Sequence, residues 1–80
     1  MAAYTKISKL GADQVLEKAI RFFGPQGNGL TITQQGEACI TFEGGGGYVA
    51  ISLCGDPKGI RVDLETREWD YDVQTFMGKI

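Results

Sequence analysis

Apolar positions along the chain change their period twice. Residues 4–10 form a β-prone opening with Ile7 as its clearest core candidate. From Val15 the apolar residues Val15, Leu16, Ala19, Ile20 and Phe23 recur at helical spacing, with Glu17, Lys18 and Arg21 on the other side. Gly11 at the cap and Asp13 in the first turn suit a helix start, and Gly24 followed by Pro25 a stop, with Gly24 expected in the left-handed position. From Leu30 the period becomes two and stays so to Leu64, which predicts four strands. After Thr66 the spacing of Trp69, Val73, Phe76, Met77 and Ile80 is helical again, with Thr66 or Asp70 as the cap.

Hairpin registers follow from asking which pairing keeps the apolar residues on one face. The first hairpin predicts a loop of Gln34, Gln35 and Gly36, with Gly36 at positive φ and Thr33 closing against Glu37. In the second, Glu43 opposes Tyr48, with the glycine run 44–47 as the turn. The third sets Cys54 against Gly59, with residues 55–58 as the connection. The expected fold is therefore α+β, a single domain over residues 1–80. It has one antiparallel sheet in the order β-α-β-β-β-β-α, with both helices on one face.

That arrangement leaves an opposite sheet face of Thr31, Thr33, Cys39, Thr41, Glu43, Tyr48, Ala50, Ser52, Cys54, Arg61, Asp63 and Glu65. The predicted register lines up Thr31, Cys39 and Ser52 beside the pair Thr41 and Ala50. The charged residues then fall toward one end and one edge. A face that must stay solvated is usually filled with Lys, Glu and Arg, so this uncharged centre is a candidate interface. The candidate interface residues are Thr31, Cys39, Thr41, Tyr48, Ala50 and Ser52, and the expected partner is a second copy of the chain or another protein. The competing explanation is that threonine suits strands.

Composition narrows the chemistry. The absence of histidine removes Ser-His-Asp, Cys-His and His-ligated metal chemistry, so an enzyme is the less favoured class. Eight Lys and Arg against ten Asp and Glu, dispersed along the chain, offer no cationic footprint for nucleic acid. No apolar run has the length of a membrane span, and a cytoplasmic location is expected. Cys39 and Cys54 are too few for a disulfide scaffold and read as small apolar fillers. Gly44 to Gly47 lead into a strand rather than a helix, which fits a hairpin turn and not a phosphate cradle. Asp63 and Glu65, with the carboxylates near the last helix, lack the spacing of a calcium loop, and no metal or other cofactor is expected.

The β-α-β4-α order, the phrase Gly44-Gly45-Gly46-Gly47-Tyr48-Val49, and the passage Arg67-Glu68-Trp69-Asp70-Tyr71 into an apolar helix together resemble a reduced helix-grip protein of the START and Bet v1-like kind. The resemblance implies a small apolar or aromatic ligand held between the sheet and the C-terminal helix. Phe23, Trp69, Phe76 and Met77 are the candidate lining. A stripe of large apolar residues at helical spacing is otherwise ordinary core, and an 80-residue chain has little apolar material to spare.

Overall fold

The computed structural model describes residues 1–80. Its elements are β1 (Ala2–Ser8), α1 (Ala12–Phe23), β2 (Thr31–Gln35), β3 (Cys39–Gly44), β4 (Gly47–Asp56), β5 (Gly59–Arg67) and α2 (Asp70–Met77). The strands form one antiparallel sheet in the order β1-β5-β4-β3-β2, the α+β arrangement expected from the changes of period. α1 links the two edge strands, and both helices bury their apolar stripes on the same side. The core consists of Val15, Ala19, Phe23, Leu30, Ile40, Phe42, Val49, Ile51, Val62, Leu64, Val73 and Phe76. An aromatic cluster joins the layers, with Phe23 5.5 Å from Phe42 and 5.2 Å from Phe76 between ring centroids.

α1 starts where the sequence places it, and Gln14 Oε1 accepts the Gly11 N–H at 2.9 Å. Its end is built differently from the expectation, because Gly24 is extended (φ −68°, ψ −171°) and not left-handed. The loop folds back under the helix instead. Asn28 N–H donates to Phe22 O and Leu30 N–H to Phe23 O, and the left-handed residue is Gly29, at φ +81°.

β1 corrects the first core assignment. Ile7 is 39% exposed and points away from the helices, while Tyr4, Lys6 and Ser8 point toward them. These three inward residues hold the C-terminal segment. Tyr4 Oη donates to Asp70 Oδ2 at 3.2 Å, Lys6 Nζ to Met77 O and Ser8 Oγ to Ile80 O, both at 2.7 Å. α2 has only two fully buried residues, Val73 and Phe76, so these tethers supplement a short apolar contact.

Two of the three hairpins differ in register from the expectation. Cys39 opposes Ser52, Thr41 opposes Ala50 and Glu43 opposes Tyr48, as predicted, around a two-residue turn of Gly45 and Gly46, both at positive φ. In the third hairpin Asp56, not Cys54, opposes Gly59. Asp56 Oδ2 accepts the Lys58 N–H at 2.9 Å, which tightens the turn to Pro57 and Lys58. This shift of two residues draws Thr66 into the sheet opposite Val49, where it is fully buried and its hydroxyl donates to Tyr48 O at 2.7 Å. Thr66 is therefore not a helix cap. The chain turns at Glu68 (φ +76°), and α2 begins after Trp69 with no side-chain cap.

In the first hairpin Ile32 opposes Phe42 rather than Ala38, and a bulge at Thr33 sets Gln34 against Thr41. Gly36 is not at positive φ. A methyl group there meets only the Cys39 Sγ, at 3.1 Å, whereas one on Gly45 (φ +59°) meets Trp69 Cζ2 at 2.8 Å. Gly45→Ala is accordingly expected to lower the melting temperature clearly more than Gly36→Ala, by an amount equivalent to about 1 kcal/mol or more. The opposite ranking in thermal melts contradicts the turn assignment.

Candidate functional site

The sheet face away from the helices is built in rows across the strands. One row runs Ala3, Glu65, Ala50, Thr41 and Gln34; the next runs Thr5, Asp63, Ser52 and Cys39. A third contains Ile7, Arg61 and Cys54, and a fourth Arg67, Tyr48, Glu43 and Thr31. Cys39, Thr41, Ala50 and Ser52 are thus brought together on the two adjacent strands β3 and β4. Thr31 is not with them. It opposes Glu43 at the other end of β3, because the first hairpin is shifted.

The charged residues are placed differently from the expectation as well. β5 carries Arg61, Asp63, Glu65 and Arg67 outward, and it is an interior strand because β1 pairs along its far side. The face therefore has a charged stripe between two uncharged strips, one on β1 (Ala3, Thr5, Ile7) and one on β3 and β4 (Cys39, Thr41, Ala50, Ser52), with Glu43 at the end of β3 beyond it. Side chains along the stripe bond one another and their neighbours. Asp63 accepts from Arg61 Nε at 3.1 Å and from Thr5 Oγ1 at 2.8 Å. Tyr48 Oη donates to Glu65 Oε2 at 2.6 Å, and this hydrogen bond, helped by the Glu65 charge, holds the phenol above its ordinary pKa. The Arg67 guanidinium carbon lies 5.9 Å from the centre of the same ring. A shallow depression of about 180 Å³ lies over Ala3, Thr5, Ala50 and Ser52, bordered by Asp63 and Glu65.

Cys39 and Cys54 are exposed free thiols, so neither fills the core. Cys54 opposes Arg61 and Cys39 opposes Ser52, which keeps them on different cross-strand pairs.

The residues expected to line a pocket are dispersed into structural roles. Phe23 and Phe76 are fully buried in the aromatic cluster. Trp69 covers the glycine turn, its indole N–H donating to Gly44 O at 2.9 Å, and Met77 packs at the margin of the core. Of these, Phe76 also borders a groove of about 280 Å³ between α1 and the C-terminal turn, with Lys18, Arg21, Phe22 and Lys79. The helical spacing puts Lys18 and Arg21 on the polar side of α1. The spacing of Lys18, Arg21 and Phe22 marks one side of α1, but nothing in the sequence sets α2 beside it.

Comparison with protein families, curated proteins and solved structures finds no match to this chain. No helix is long and apolar enough to cross a membrane.

Proposed function

We propose that the protein is a non-enzymatic interaction module that associates with a second copy of itself through the open face of the sheet. The carrying observation is the uncharged strip Cys39, Thr41, Ala50 and Ser52 on β3 and β4, uncovered by either helix and next to a stripe bearing both signs of charge. Small hydroxyl, thiol and methyl groups make a flat centre, and Tyr48 with the β5 charges supplies a polar rim. The sheet edges support the face as the contact. β2 is bulged at Thr33, and β1 carries Lys6 pointing inward, two devices that discourage strand pairing at an edge.

Ala50→Lys with Ser52→Lys tests this directly. Each new ammonium faces a carboxylate on β5, Glu65 for position 50 and Asp63 for position 52, so the fold is expected to persist. Two copies then meet with cations at the centre of the contact. Sedimentation is expected to show a dimer for the parent chain and a monomer for the variant, with unchanged circular dichroism. A parent chain that sediments as a monomer at high micromolar concentration ends the proposal.

A further inference from the structure

The groove between α1 and the C-terminal turn reverses the charge of the chain around it. The protein has a net charge of −2, yet three of its eight Lys and Arg residues line this one depression, and no Asp or Glu does. Lys18 and Lys79 have no carboxylate within ion-pair distance. Arg21 is paired through one nitrogen with Glu17 at 2.8 Å, and its other donors bond nothing in the protein. Three like charges around one concavity repel one another, and an anion placed between them relieves that repulsion.

The floor is apolar and held in place. Phe22 and Phe76 lie 5.7 Å apart between centroids, and Phe76 is fixed from below by Phe23. The wall that carries Lys79 is tied down as well. Lys79 N–H donates to Phe76 O at 2.8 Å, and the residues on either side of this turn are bound to β1 through Lys6 and Ser8. The concavity therefore exists without a ligand, which removes an ordering cost from binding. Its volume of about 280 Å³ lies just below the range of ligand sites, which run from about 300 Å³ upward, so only a small ligand fits.

We propose that this groove binds a small amphiphilic anion. An aromatic or short alkyl body lies on the half-buried Phe22, which Phe76 supports from beneath, and a carboxylate, sulfonate or phosphate head sits among Lys18, Arg21 and Lys79. A neutral apolar ligand leaves the three cations uncompensated, and a bare inorganic anion gains nothing from the Phe22 ring. Both parts of the ligand are needed. The site is on the helix layer, away from the open sheet face, so it does not depend on self-association.

The experiment compares two probes with the same body, anilinonaphthalene sulfonate and the uncharged phenyl-naphthylamine, on the full chain by fluorescence titration. Chemical-shift mapping locates the probe. The sulfonate is expected to bind at the groove, shifting the ring signals of Phe22 and Phe76, and the neutral probe to bind at least about tenfold more weakly. Lys18→Glu with Arg21→Glu, both at the surface, is expected to weaken the sulfonate by about tenfold or more and to leave the melt cooperative. Lys18→Arg keeps the charge and is expected to keep binding. Displacement by decanoate or by naphthyl phosphate then distinguishes an alkyl carboxylate from an aryl phosphate as the preferred form. Equal binding of the two probes, or sulfonate binding unaffected by the double charge reversal in a folded variant, overturns the proposal.

Discussion

Ile40→Asp is expected to abolish the cooperative thermal transition of the domain, while Thr41→Asp, one residue further along β3, folds. Ile40 is fully buried opposite Ile51, with Gln35 on its other side. A carboxylate there has no cation or buried donor to meet it, since the other members of its twelve-residue cluster are all hydrophobic. It must either ionise in an apolar layer or remain protonated with an unpaired hydroxyl where a sec-butyl group packed. Either outcome costs about 3 kcal/mol or more. A domain of this size has only about 4–12 kcal/mol in total. Thr41 points to the open face opposite Ala50 and is only partly covered, so an aspartate there reaches water. Circular dichroism melts of the two variants read the difference. A stable Ile40→Asp beside an unfolded Thr41→Asp would mean that the two faces of the sheet are interchanged.

The second large effect is expected at Gly59. It closes the β4–β5 turn at φ +149°, a backbone conformation that L side chains rarely adopt, and a methyl group there would lie 2.2 Å from the backbone oxygen of Ser8. That oxygen belongs to the last residue of β1 and has no flexible end to move aside. Gly59→Ala must therefore distort the turn or push β1 off β5, at a cost of about 2 kcal/mol or more. Displacing Ser8 also loosens its hydroxyl bond to Ile80 O, so the damage spreads to the segment after α2. Gly55, in the same hairpin, is the control. It has ordinary φ and open space around it, and Gly55→Ala is expected to be neutral or slightly stabilising. Amide exchange in β1 should quicken in the Gly59 variant only. Equal melting temperatures for both variants would be incompatible with the close approach of β1 to this turn.

The positive φ expected at Gly36 and found instead at Gly45 and Gly46 shows how far a pattern argument carries. The facing test that set the hairpin registers has a period of two, so it cannot distinguish registers that differ by an even number of residues. In the first hairpin, setting Ile32 against Ala38 or against Phe42 keeps the same side chains inward. The third hairpin was open in the same way, and there the Asp56 side chain selects the tighter turn. The central hairpin was read correctly because the four consecutive glycines confine the turn to residues 44–47, and the observed pairing centres the turn on them.

Read alone, the sequence determined the class of every element, the side on which both helices pack, and the identity of nearly all the core. Those features depend on local spacing and on the tendency of apolar groups to leave water together. Ile7 and Thr66 mark where that reasoning stops. Ile7 has the right chemistry for the core but the wrong parity, because β1 is anchored by the hydrogen bonds of Tyr4, Lys6 and Ser8 to residues about seventy positions away. Thr66 looks like a helix cap until the β4–β5 register places it in the sheet. The candidate site divides along the same line. That Thr41, Ala50, Ser52 and Cys39 share a face was legible, since alternation along a strand is a local property. That a charged strand runs beside them in the interior of the sheet, and that Lys18, Arg21 and Lys79 meet around one groove beside Phe22, follow from which elements become neighbours. Long-range pairing and helix packing decide that, and no local period encodes them.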